Sequence, residues 1–154
     1  MARRVFISYQ HKDQMKAKGF NLMSYADNID VSFVGRHLLD PVDSTSPDYI
    51  RAKVREQISG TSVTVVLLGR DTADSSWVDW EIEESNNKGN GLLGIRLDPE
   101  AKVPARLIDC GAEILDWFRP EDVNEFTDAI ERAALASRRA PQLVAASGNS
   151  SCTR

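Results

Sequence analysis

The stretch Ser62-Val63-Thr64-Val65-Val66-Leu67-Leu68 constrains this chain more than any other feature. Its β-branched and aliphatic residues run on without polar alternation. A strand with one wet face alternates, whereas a strand covered on both faces does not, and that is the condition of a strand inside a parallel sheet. Parallel neighbours in turn require long crossovers, usually helices.

The remaining segments supply them. Val5-Phe6-Ile7-Ser8-Tyr9 reads as a first buried strand, Val31 to Val34 as a second, Leu92 to Leu97 as a fourth and Glu113-Ile114-Leu115 as a short fifth. A ragged apolar pattern from Asp13 to about Tyr25 suggests a helix after the first strand. The helix after the second strand is better marked. Ser46 caps it, Pro47 suits its first position, Ile50, Val54 and Ile58 make one apolar face, and Gly60 stops it. Another helix begins near Ser75 or Ser76, where Ser76 and Asp79 have capping-box spacing, and ends before Gly89. Pro120 opens a last helix carrying Val123, Phe126, Ile130 and Ala133. Alternating strands and helices predict an α/β fold with a parallel sheet covered on both faces. We expect one domain over residues 1–136 and a disordered tail over 137–154, which is rich in Ser, Ala and Arg.

Composition narrows the function. The chain has 154 residues, enough for one core, and a net charge of -4. Nucleic-acid binding needs clustered cations, and the pairs Arg3-Arg4 and Arg138-Arg139 lie near the chain ends, so no nucleic-acid partner is expected. Cys110 and Cys152 make no disulfide framework, and with His11 and His37 they give no zinc spacing. We therefore expect no metal. No apolar run approaches the ~20 residues of a membrane span, and no leader pattern precedes Val5. A cytoplasmic protein with no membrane partner is the expectation.

Several motifs fail on context. Gly89-Asn90-Gly91-Leu92-Leu93-Gly94 matches G-x-G-x-x-G, but it runs from helix into strand, and a dinucleotide fingerprint runs from strand into helix. There is no P-loop. A receiver-type acidic pocket is missing, because the first strand ends Tyr9-Gln10-His11 and the third ends Leu68-Gly69-Arg70. Ser8 has no nucleophile-elbow sequence around it.

What remains is a constellation at the carboxyl ends of the strands, where open parallel sheets bind their ligands. Phe6, Ser8, Tyr9, Gln10 and His11 lie on and after the first strand. Asp43 and Ser46 follow the second, and Trp77 follows the third. Trp77 and Glu81 are four residues apart and share a helix face that Glu84 extends, while Val78 and Ile82 fall on a neighbouring face that packs on the sheet. Spacing by itself leaves Trp77 open to a core role and Glu81 to a solvated one.

These residues resemble a known family. Val5-Phe6-Ile7-Ser8-Tyr9 is similar to the first box of TIR domains, and Ser76-Trp77-Val78-Asp79-Trp80-Glu81 to their S-x-W-x-x-x-E box. The run from Ser75 to Glu84, with the Ser-Tyr-Gln-His opening, looks most like the TIR-like proteins of bacterial anti-phage Thoeris systems. The resemblance covers roughly residues 4 to 135. It implies a flavodoxin-like three-layer sandwich with a five-stranded sheet of order 2-1-3-4-5. It implies NAD+ as substrate rather than cofactor, with Glu81 as the catalytic carboxylate and the rest of the constellation binding substrate. It also implies homo-oligomers through TIR–TIR contacts, and a cyclic ADP-ribose-type product that activates a separate effector. At Gln10 and His11 several catalytic relatives carry arginines, so the phosphate contacts are left open.

One carboxylate is enough for this chemistry. Nicotinamide is cationic in NAD+ and departs neutral, so no general acid is needed, in contrast to ordinary glycoside cleavage. The positive charge that develops on the ribose can be met by Glu81, with Trp77 or Tyr9 beside a flat ring. Two other functions fit the same pattern: a TIR module that only assembles, and an enzyme like the nucleoside 2-deoxyribosyltransferases, which also sets a glutamate at a glycosidic bond.

Overall fold

A computed structural model describes residues 3–10, 13, 31–35, 46–116 and 125–136. In chain order the described elements are β1 (Arg3–Ser8), β2 (Val31–Gly35), α1 (Pro47–Ser59), β3 (Val63–Leu68), α2 (Ser76–Asn87), β4 (Gly91–Arg96), α3 (Ala105–Asp109) and β5 (Glu113–Asp116). The last helix, α4, is described over 125–136. The expected helix after β1, the opening of α4 at Pro120 and the tail after 137 fall outside the described residues.

The strands form one sheet of order β2-β1-β3-β4-β5, and every pairing is parallel. The run that constrained the fold is β3, fully buried along its length. Its side chains alternate between two cores, as a pleat requires. Val63, Val65 and Leu67 point to the side of α4, where they meet Val5, Ile7, Phe126 and Ile130. Val66 and Leu68 point the other way, to Val78 and Ile82 of α2 and Leu107 of α3. On that second side Phe6 packs with Val54 and Ile58 of α1. The uninterrupted apolar sequence is thus the sum of two alternating patterns, one for each layer of helices.

Local chemistry sets the helix ends. The Ser46 hydroxyl accepts a hydrogen bond from the Tyr49 amide, and Pro47 opens α1. At α2 the structure corrects the sequence reading: the cap is Ser75, whose hydroxyl accepts from the Val78 amide, and Ser76 is already helical. Asp79 serves instead as partner to Arg106 of α3, at 2.9 and 3.1 Å. That hydrogen bond raises the Arg106 pKa, against desolvation. The helix α3 was not anticipated, because five residues give too short a pattern to show periodicity.

The accidental glycine motif has a packing explanation. Gly89 turns the chain out of α2 with φ 84°, a conformation open to glycine at little cost. A side chain at Gly91 would run into the backbone of Ala133, so glycine there lets α4 lie close on β4. No described helix is long and apolar enough to cross a membrane.

Candidate active site

The helix α2 runs back along the sheet from the carboxyl ends of β1 and β3, and its turns step down the strands. Lowest, Ser85 meets Thr64 of β3, with hydroxyl oxygens 2.6 Å apart. One turn higher, the Ser8 hydroxyl at the end of β1 donates to Glu81 Oε1 at 2.6 Å. Thr64 is in register with Phe6, so the two contacts lie two strand residues apart, about one helical turn. A further turn up α2 is Trp77.

Glu81 and Ser8 are both fully buried, and Tyr9 is 5% exposed. A carboxylate can be buried only where polar partners replace water, and Ser8 is one of them. Burial also corrects the helix-face assignment. Glu81 belongs with Val78, Ile82 and Ser85 on the face turned to the sheet. Trp77 sits at the border of that face, half-buried, with its ring edge-on to Trp80 at 5.7 Å.

The loop after β1 is tied to the loop after β3. The Gly69 amide donates to the Thr72 hydroxyl at 2.8 Å, which donates to Asp13 at 3.3 Å. The Asp13 amide in turn donates to the Gln10 carbonyl at 2.8 Å. Ser8 and Glu81 therefore meet at the carboxyl end of β1, with Gln10 following in the chain and Trp77 one helical turn from Glu81, whereas Tyr9 turns to the opposite face of the sheet and packs in the core with Phe126 and Ile130. Phe6 lies below them as a core residue of the α1 layer, and the Ser46 hydroxyl is exposed and used as a helix cap. His11 and Asp43 lie outside the described residues.

Sequence reasoning missed one residue beside Trp77. Arg51 of α1 stands over both indoles, its guanidinium carbon 5.3 Å from the Trp77 centroid and 5.8 Å from that of Trp80. The available signal was the pair Arg51 and Arg55, one turn apart on α1, opposite Trp77 and Trp80, three apart on α2. Pairing across helices cannot be read from either helix alone.

A five-stranded parallel α/β sandwich with a buried glutamate at the carboxyl end of its first strand is the architecture of a TIR-like domain. The model for the TIR-like domain of Thoeris protein ThsB matches residues 6–102, and the chain belongs to that family. A Bacillus cereus (strain MSX-D12) protein, ThsB1, named provisionally as a cyclic ADP-D-ribose synthase, is 30% identical over 103 residues, 64% of this chain and 53% of the relative. The chain thus spans about half the length of the curated relative it matches. Among solved structures, the TIR domain of the Toll-related receptor TRR-2 from Hydra magnipapillata has a TM-score of 0.59 at 17% identity, covering 85% of this chain and 97% of that one. The 2-deoxyribosyltransferase of Bacillus psychrosaccharolyticus has 0.58 at 14%, covering 80% and 90%. The Clostridium botulinum CMP N-glycosidase BcmB has 0.52 at 14%, covering 84% and 99%. These three likenesses establish the fold.

Proposed function

We propose that this chain cleaves NAD+ at the nicotinamide–ribose bond and releases a cyclic ADP-ribose-type signal, or ADP-ribose, that acts on a separate effector in antiviral defence. The observation that carries the proposal is Glu81, buried at the carboxyl end of β1 and held by Ser8 at 2.6 Å. A buried carboxylate costs stability unless polar partners replace its water, and such groups cluster at functional sites. The ThsB family match, and the name of the ThsB1 relative, support the choice of NAD+.

In the reaction the C1′–N bond breaks and its electron pair leaves with nicotinamide, which becomes neutral. The ribose carries the positive charge. Glu81, fixed in orientation by Ser8, faces that charge before the bond breaks, so little reorganisation is needed. Water capture gives ADP-ribose and a proton. Capture by a nucleophile of the same molecule, with water excluded, gives the cyclic product. Because Glu81 is fully buried, substrate must displace part of the structure around it to reach it. Self-association is the expected trigger, and specific activity should fall on dilution to monomer.

Incubation with NAD+ followed by chromatography tests the proposal. Free nicotinamide with a cyclic or linear ADP-ribose is the expected result. Intact NAD+ at every protein concentration would leave an assembly module. Turnover of deoxynucleosides with NAD+ untouched would make the chain a deoxyribosyltransferase-like enzyme.

A further inference from the structure

Two arginines one turn apart on α1 face the same pair of tryptophans and have different partners. Arg55 lies 5.3 Å from the Trp80 centroid, and its Nε also donates to Glu84 Oε1 of α2 at 3.3 Å. Its charge is met inside the molecule, so it ties α1 to α2. Arg51 lies against Trp77 and Trp80, but among the described residues its one anionic neighbour is Asp48, 3.7 Å away on the same helix with a side chain 96% exposed. A contact of that kind is weak.

Position separates them as well. The helix α1 runs antiparallel to the strands, so Arg51 is one turn nearer than Arg55 to the carboxyl ends, about 6 Å. It reaches Trp77, one turn above Glu81. Two indoles hold its guanidinium by cation–π contact, and this limits its motion while leaving its N–H groups available. A planar fork of donors held in place suits the oxygens of a phosphate.

We propose that Arg51 is the phosphate-binding residue of this site, taking the pyrophosphate of a dinucleotide whose ribose faces Glu81. This rests on the NAD+ cleavage proposed above. In NAD+ the phosphate is joined to the same sugar that loses nicotinamide, so its cation must stand about one sugar from the carboxylate. Arg51 lies against Trp77, one helical turn from Glu81 on α2, whereas Gln10, after β1, brings no charge. Stacking on Trp77 gives that tryptophan a second task, holding the cation.

The test compares wild type, Arg51→Ala and Arg51→Lys by nicotinamide release from NAD+ and by calorimetric titration with ADP-ribose. Arg51→Ala should raise KM and the ADP-ribose Kd about tenfold, the loss expected of one charge-assisted hydrogen bond, with kcat within about twofold. Arg51→Lys keeps the charge but loses the fork, and should fall between. Added salt should weaken wild type more than Arg51→Ala. An unchanged KM and Kd in Arg51→Ala, or a fall in kcat alone, would overturn the proposal and leave Arg51 as packing. If wild type binds ADP-ribose but cleaves no NAD+, the Kd ratio still decides the role of Arg51 while the catalytic proposal fails. If wild type neither binds nor cleaves, both fail.

Discussion

Adjacent turns of α2 bury two polar layers, and they differ in kind. The lower layer joins Thr64, Ser85 and Asn90. Thr64 and Ser85 share a 2.6 Å hydrogen bond, and the Asn90 amide donates to Thr61 at 2.9 Å and Thr64 at 3.3 Å. Its groups are neutral and satisfy one another, so they fix the register of helix on sheet. The upper layer sets the Glu81 carboxyl group against the Ser8 hydroxyl. Neutral groups can be buried at modest net cost when paired, whereas a buried charge is far more demanding. On the proposed function, one turn of the helix serves structure and the next serves chemistry.

Substitutions should separate the two layers. The largest effect is expected from Glu81→Gln, which keeps an acceptor for Ser8 and removes the charge. Nicotinamide release should fall about a hundredfold to a thousandfold with the melting temperature nearly unchanged. Glu83→Gln should have little effect, and Glu84→Gln less than Glu81→Gln. Wild-type turnover in Glu81→Gln would erase the distinction between the layers.

Ser8→Ala comes next. It removes a hydrogen bond from a buried carboxylate, for a loss of about 1–3 kcal/mol in denaturant unfolding. Turnover should drop about tenfold or more, since each ~1.4 kcal/mol lost from the transition state is a factor of ten. A stability loss with full activity would show Ser8 to be structural only.

In the lower layer, Ser85→Ala should cost about 1 kcal/mol and leave turnover alone. Combining it with Thr64→Val should cost less than the two singles together, because no hydroxyl is then stranded. A strictly additive pair would mean the layer is not one unit.

The smallest effect lies at the sheet edge, where Arg132 donates to Glu113 at 2.9 and 2.7 Å. That hydrogen bond holds the Glu113 carboxyl below its ordinary 4.5, against desolvation. The pair's contribution is full above the ordinary value and is lost as pH falls through the lowered one. Both side chains are substantially exposed, so solvent screening keeps the contribution small. Urea midpoints of wild type and Glu113→Gln should differ slightly at neutral pH and converge in acid. A gap that persists in acid would point to packing instead.

Much of the frame could be read from the chain because it rests on local signals. The unbroken apolar run of β3 announced cover on both faces, and Ser46-Pro47 announced α1. The strand order came from the family resemblance rather than from spacing, and the structure bears it out. The site was harder, since burial is a property of the assembled layers. Trp77 and Glu81 at i,i+4 looked like one stripe. Which of them turns to the sheet depends on how α2 is rotated over β1 and β3, and the polar residues Glu81 and Ser85 on its buried face obscured that rotation. Arg51 was invisible for a related reason, as its partners are on another helix. Ser75 and Ser76 are both competent caps, and only the position of the first turn chooses between them.

The Ser8–Glu81 contact joins residues 73 apart in sequence, and this governs when the site comes into existence. During synthesis the first strand emerges long before the helix that completes the pair. A partial chain can carry Ser8 and α1 and still lack the Ser8–Glu81 contact. Contacts this distant form late and cooperatively, after loop-closure entropy has been met by the pairing of β1 with β3. Because Ser8 sits on an interior strand and Glu81 on the buried face of α2, loss of the pair should coincide with global unfolding rather than precede it. Under denaturant, activity and tertiary structure should vanish along one curve, and fragments ending before α2 should be inert.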